Sequence, residues 1–93
     1  MSKRRSKVQI IFDILDSIKS KGGKIKPTHL LYKSNLSHTM MSEYVLELIN
    51  KEFIQEEINK KNKTYVLTNK GYTYLSEFDR VQKFMESFGL DEI

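Results

Sequence analysis

The sequence predicts a mainly helical domain with one small β-hairpin, a fold of the α+β class. Four segments have apolar residues at helical spacing, and two short runs rich in β-forming residues flank a polar stretch at residues 59–62. The chain has 93 residues, 39% hydrophobic and 30% charged, so its size and composition fit one globular domain. The longest uninterrupted apolar runs, such as residues 10–12, are only three residues long, so we expect no membrane partner.

The N-terminal segment predicts a basic arm followed by a helix. Residues 1–5 are rich in Lys and Arg and are expected to form a flexible arm. Ser6 and Gln9 have the spacing of a capping box, in which each side chain hydrogen-bonds a free backbone N–H at the start of a helix. Apolar residues then recur at helical spacing as far as Ile18, and the glycines at 22–23 are expected to end the helix.

Two further helices are predicted with a tight turn between them. Pro27 suits the first position of a short second helix, because the backbone N–H that proline lacks would have no hydrogen-bond partner within the helix at that position. Residues 34–35 break this helix, and Ser37 is the predicted N-cap of a third helix over residues 38–51. Two helices joined in this way are typical of a helix-turn-helix.

A β-hairpin is predicted after the third helix. Strand-like residues 53–58 and 64–67 flank the polar turn at 59–62. A hairpin in this position is a wing, and we expect the lysines around its tip, like the N-terminal arm, to contact the phosphate backbone or the minor groove of a nucleic acid. These are Lys60, Lys61 and Lys63.

The last predicted helix spans residues 69–88 and is capped by Thr68. Its apolar residues recur at alternating intervals of three and four, which is typical of a coiled-coil seam: Gly71, Tyr74, Phe78, Val81, Met85 and Phe88. A domain of this size has little core left to cover such a stripe, so the sequence favours a partner helix over packing on the same domain. The predicted homodimer interface comprises Tyr74, Phe78, Val81, Met85 and Phe88. The chain thus divides into an arm (1–5), a DNA-binding domain (6–68) and a dimerisation helix with its tail (69–93).

Positive charge is concentrated at the N-terminal end of the chain. Residues 1–33 hold nine Lys or Arg and two Asp, a net charge of +7, whereas the whole chain has a net charge of +4. This asymmetry favours a polyanionic partner. An ordinary solvated lysine-rich surface is the alternative interpretation.

The sequence predicts no enzyme, no catalytic residue, no metal and no cofactor. There is no Cys, and neither His29 nor His38 has a carboxylate at ligand spacing. Glu56 and Glu57 are neighbours on a predicted strand, so their side chains point to opposite faces and form a poor acid–base pair.

The outer side of the third helix has side chains suited to reading base edges in a major groove. Small or polar groups there can donate and accept hydrogen bonds: Ser37, His38, Thr39, Ser42 and Glu43. Glu43 and Glu47 also repel phosphates, so affinity is expected from cations elsewhere. These are Lys3, Arg4, Arg5, Lys7, Lys33, Lys60, Lys61 and Lys63.

Several stretches of the chain match one group of proteins. The most specific are residues 35–37 (Asn-Leu-Ser) and 67–71 (Leu-Thr-Asn-Lys-Gly), and together the matches cover most of residues 5–75. Through them the chain resembles the small archaeal winged-helix DNA-binding proteins. The resemblance implies a homodimer, joined by an antiparallel coiled coil of the last helices, and an origin in an archaeon or an archaeal virus or plasmid. The last helix here ends near Gly89, earlier than in many such proteins.

The leading hypothesis is a winged-helix protein that binds double-stranded DNA sequence-specifically, as a homodimeric transcription regulator in the cytoplasm of its cell or host. A protein–protein interaction module with the same fold is one alternative, favoured by Glu43 and Glu47 and opposed by the basic arm and wing. A non-specific architectural chromatin protein is another, and the modest net charge of +4 argues against it.

Overall fold

The computed structural model describes residues 5–89, which form four helices and three short strands. In chain order these are α1 (Lys7–Ser20), β1 (Lys24–Ile25), α2 (Pro27–Ser34), α3 (His38–Asn50), β2 (Ile54–Asn59), β3 (Asn62–Leu67) and α4 (Asn69–Ser87). The predicted α+β class is confirmed. The third and fourth helices each end one residue earlier than predicted.

Side-chain caps start three of these helices at the predicted residues. The Ser6 hydroxyl accepts the backbone N–H of Gln9 at 3.2 Å, and the Gln9 side chain accepts the backbone N–H of Ser6 at 3.4 Å, which completes the capping box. Ser37 and Thr68 each accept the N–H three residues ahead, at 3.1 Å. Helix α2 has no side-chain cap and begins at Pro27, as expected.

The sheet contains a strand that the sequence does not predict. β1 pairs antiparallel with β3, with Lys24 opposite Val66 and Ile25 opposite Tyr65, so the strand order is β1-β3-β2. β1 is two residues long, too short to show an alternating pattern. The backbone N–H of Leu67 also donates to the Gly23 carbonyl at 2.9 Å, which holds the chain after α1 against β3.

The wing is a longer hairpin than predicted. Its register runs from Ile54 opposite Leu67 to Asn59 opposite Asn62, so both asparagines of the predicted turn pair in the ladder. Lys60 and Lys61 alone form the turn, and Lys60 has a left-handed backbone with φ 57°.

The hydrophobic core lies where the helices meet the sheet. Its most deeply buried apolar side chains are Ile14, Leu15, Ile18, Leu30, Leu48 and Ile54. Helix α1 supplies three of these six, because it contacts α2, β3 and α4. Each such side chain contributes roughly 1.5–3 kcal/mol by its removal from water.

Gly71 allows α4 to start directly against the wing hairpin. A Cβ at this position would lie 2.5 Å from the carbonyl oxygen of Phe53 and 2.6 Å from a methyl group of Leu67. Gly71 is therefore buried against its own domain, although it belongs to the periodic stripe that predicts a coiled-coil seam.

Candidate nucleic-acid interface

Helix α3 has one side in the core and the other in solvent. Met41, Val45 and Leu48 are buried. The base-reading residues predicted from sequence are all exposed: Ser37, His38, Thr39, Ser42 and Glu43. We call the exposed side formed by His38, Thr39, Ser42, Glu43, Leu46 and Asn50 the recognition face.

A short turn holds the recognition face at a fixed angle to α2. Three residues separate the two helices, and the first of them, Asn35, is left-handed with φ 56° and ψ 41°. Asn adopts this conformation more readily than most residues, since its short polar side chain can hydrogen-bond locally. Leu36 packs against the core, and Ser37 then caps α3.

Two lysines neutralise Glu47 at the edge of the recognition face. Its Oε2 lies 3.0 Å from the Lys7 Nζ and 3.2 Å from the Lys51 Nζ. The hydrogen bonds from Lys7 and Lys51 lower the pKa of Glu47. Lys7 is a predicted phosphate ligand, and here it is held by a carboxylate of its own chain. Glu43 forms no ion pair with any residue between 5 and 89, so it is the free acidic group of this face.

Arg5 is packed against the domain, which differs from its expected place in a flexible arm. Its Nη1 donates to the Asp13 carboxylate at 2.7 Å and to the Ser34 carbonyl at 3.0 Å. Its Nη2 donates to the Asn35 carbonyl at 3.2 Å. Arg5 therefore joins the start of α1 to the end of α2. The other predicted arm cations, Lys3 and Arg4, lie outside the described residues, as do the tail residues 90–93.

The cations of the wing divide into paired and free groups. Lys63 lies in β3, 2.9 Å from the Glu56 carboxylate, and this hydrogen bond raises the pKa of Lys63. Lys24 of β1 reaches across the central strand β3 and lies 3.0 Å from Glu57 of β2. Lys60 and Lys61 are exposed at the turn and form no ion pair within residues 5–89. Lys33 is likewise exposed on α2.

The first half of α4 packs on its own domain, unlike the prediction that the whole stripe faces a partner. Phe78 stacks on Phe12 of α1 with ring centroids 4.4 Å apart. Tyr74 donates a hydrogen bond to the Val8 carbonyl at 3.2 Å and meets the Phe53 ring edge-on at 5.6 Å. Burial raises the pKa of Tyr74.

The second half of α4 presents apolar side chains to solvent. Val81 is 48% exposed, Phe84 62% and Phe88 65%, and the two phenylalanine rings meet edge-on at 5.0 Å. Met85 is half-buried. An adjoining groove of about 290 Å³ is lined by Val8, Tyr74, Glu77, Phe78 and Val81. Phe84 is absent from the predicted interface because it lies beside the 3.5-residue stripe.

Two negative findings apply to the described part of the chain. No group of three or more His, Asp or Glu side chains is arranged to hold a metal ion. No helix between residues 5 and 89 combines the length and the hydropathy needed to cross a membrane.

A helix-turn-helix formed by α2 and α3, followed by a β2–β3 wing, defines the winged-helix class of folds. The chain belongs to the winged helix-turn-helix family, which matches it over residues 4–86. An uncharacterized protein of Methanocaldococcus jannaschii is 35% identical to it over 80 residues. These residues are 86% of this chain and 35% of that protein, so the chain spans about a third of this curated relative.

Three solved structures share the fold at low sequence identity. Sso10a-2, a DNA-binding protein from Sulfolobus solfataricus, has a TM-score of 0.77 at 21% identity, over 90% of this chain and 85% of that one. F93 from STIV, a winged-helix DNA-binding protein, has a TM-score of 0.68 at 18% identity, over 84% and 90%. The oxidized form of MarR from E. coli has a TM-score of 0.65 at 19% identity, over 83% and 60%.

Proposed function

We propose that the protein is a sequence-specific double-stranded DNA-binding protein that acts as a homodimeric transcription regulator. The recognition face of α3 is the observation that carries this proposal, since its hydrogen-bonding side chains are exposed and held at a fixed angle by Asn35 and Ser37. Two proteins of similar structure, Sso10a-2 and F93, are DNA-binding proteins. In this proposal α3 enters the major groove.

The free lysines supply most of the attraction for the phosphate backbone. Lys60 and Lys61 at the wing tip and Lys33 on α2 are exposed and unpaired among the described residues, so a phosphate meets no competing carboxylate there. Lys7 and Lys63 contact DNA only by exchanging a carboxylate for a phosphate. Exposed ion pairs are worth at most about 1 kcal/mol, so this exchange has a low cost.

Dimerisation occurs through the second half of α4. Val81, Phe84 and Phe88 are too exposed for a chain that is alone in water, and a second copy of the same helix covers them. A two-fold dimer presents two recognition faces, and the half-sites in DNA are then expected about one helical turn, roughly 34 Å, apart. The site of action is the cytoplasm of the cell, or of the host if the gene is viral.

The test is titration of duplex DNA at two salt concentrations. Six to ten phosphate contacts per dimer predict that affinity falls by roughly 10³–10⁵ between about 50 and 200 mM salt. Binding that does not respond to salt contradicts the proposal. A random duplex pool, from which bound sequences are selected, then separates a sequence-specific regulator from an architectural protein that coats all DNA.

A protein-interaction module is the second candidate, because Glu43 is an acidic group on the recognition face that has no ion pair among the described residues. The structure weakens one reason for this alternative, since Glu47 is already neutralised by Lys7 and Lys51. The same titration decides between them: an interaction module shows no binding to any duplex in the selected pool.

A further inference from the structure

Leu46 is an exposed apolar side chain at the centre of the recognition face. It is 60% exposed and lies on the side of α3 opposite the core. At about 100° per residue around a helix, Leu46 falls between Ser42 and Thr39 within an arc of about 60°. It therefore shares its surface with two hydroxyl groups that the proposed function assigns to base edges.

The recognition face offers no side chain for the commonest contact to guanine. That contact is a bidentate hydrogen bond from Arg or Lys, and α3 contains neither residue from His38 to Asn50. The face instead combines hydroxyl groups, a carboxylate, the amide of Asn50 and the apolar Leu46. Asn is suited to adenine, and an apolar side chain is suited to the 5-methyl group of thymine.

The surroundings of Leu46 favour DNA over a partner helix as the occupant of this face. A helix that docks into a groove needs an apolar stripe at positions i, i+3 or i+4, and i+7. Three of the neighbours of Leu46 at those spacings are polar, namely Ser42, Glu43 and Asn50. The apolar one, Ile49, packs against the core of its own domain. The edge of an A·T pair has the matching chemistry, because one methyl group lies beside hydrogen-bond donors and acceptors.

We propose that Leu46 contacts the 5-methyl group of a thymine in the major groove, so that the centre of the recognition face selects A·T base pairs. This inference rests on the proposed function, because it requires α3 to lie in the groove. It assigns specificity to an apolar contact in addition to the hydrogen bonds of Thr39 and Ser42.

The experiment replaces single thymines by uracil in a duplex selected from a random pool. Uracil pairs with adenine in the same way and lacks only the 5-methyl group. At one or two positions in each half-site, we expect the wild type to bind the uracil duplex about fourfold more weakly than the thymine duplex. This factor corresponds to the burial of one methyl group. The Leu46→Ala variant should bind the thymine and uracil duplexes equally.

Matched variants separate this contact from general effects. Met40 is the other large apolar side chain exposed on α3, at 39%, and it lies outside the Ser42–Thr39 arc. Met40→Ala should therefore retain the full thymine preference. Because Leu46 is exposed, Leu46→Ala should keep the wild-type helix content in circular dichroism.

The possible outcomes distinguish the two proposals. If no duplex is bound, the proposed function fails and this inference fails with it. If the wild type binds specific duplexes but tolerates uracil at every position, only the inference fails. A thymine preference that persists in Leu46→Ala also overturns it, since another side chain then makes the contact.

Discussion

At the scale of single residues, several cations that could bind DNA form ion pairs with carboxylates of the same chain. Arg5, Lys7 and Lys63 each lie within 3.0 Å of a carboxylate oxygen. The partner of Lys7 is Glu47, forty positions along the chain, and only the fold brings the two together. A charge that looks free in the sequence is therefore already partnered in the folded molecule.

The ion pairs of Glu47 make the free energy of unfolding fall when the pH becomes acidic. Its pKa is below the usual 4.5, so its ion pairs stabilise the folded state above that value and are lost as the pH falls through the lowered pKa. We expect Glu47→Gln to unfold at a lower temperature than the wild type at neutral pH, and the difference to shrink below about pH 4. Thermal unfolding followed by circular dichroism across pH measures this. Glu43→Gln, which removes a carboxylate that has no ion pair within residues 5–89, should show no such convergence.

Gly71→Ala reverses the usual effect of this substitution in a helix. Alanine normally stabilises a helix interior by up to about 1 kcal/mol relative to glycine. At this position its Cβ meets the Phe53 carbonyl and the Leu67 side chain, so we expect a loss of about 1–3 kcal/mol in the free energy of unfolding. Urea denaturation measures it, with Ser76→Ala on the exposed side of α4 as the control. Equal stability of Gly71→Ala and wild type would show that α4 can move away from the hairpin.

At the scale of elements, the proposed function assigns separable roles to the wing and α3. We expect the double substitution Lys60→Ala and Lys61→Ala to weaken binding to all duplexes alike and to reduce the salt dependence by about two phosphate contacts for each wing. Ser42→Ala should instead change which sequences are preferred. Competition titrations with selected and random duplexes measure both effects. Identical behaviour of the two variants would contradict the assigned roles.

The elements that could be predicted from sequence are those with local signals. Ser6, Pro27, Ser37 and Thr68 start their helices through hydrogen bonds or geometry within three residues, so their positions can be read directly. β1 forms only because Gly23 and the strand after it meet β3, about forty positions later. No local pattern marks such a strand.

Helix α4 shows a different limit of sequence patterns. A spacing of 3.5 residues identifies a surface that needs a neighbouring helix, and it does not say which helix. Helix α1 of the same domain covers Phe78 through Phe12, whereas Val81 and Phe88 stay exposed. The candidate site could likewise be predicted only in part. The exposure of the α3 side chains follows from the helical periodicity of the sequence, whereas their ion pairs depend on the fold.

At the scale of the whole molecule, the proposed dimer depends on the end of α4. Val81 is 48% exposed and is not part of the hydrophobic core, so Val81→Asp should leave the domain folded and give monomers in sedimentation. Loss of the second recognition face should lower the affinity for a two-half-site duplex by about 100-fold or more. Ser76→Asp, at an exposed position about 140° around α4 from Val81, should remain dimeric. A monomeric wild type would show that α4 has no partner of its own kind.

The backbone conformation at the wing tip affects both the stability of the fold and the proposed binding of DNA. Lys60 occupies a left-handed conformation, with φ 57°, that disfavours a lysine by roughly 1–2 kcal/mol and suits glycine or asparagine. Lys60→Gly should therefore raise the melting temperature and, at the same time, lower the affinity for DNA. Under the proposed function, Lys60 gives up some stability of the hairpin and places a positive charge where the phosphate backbone passes.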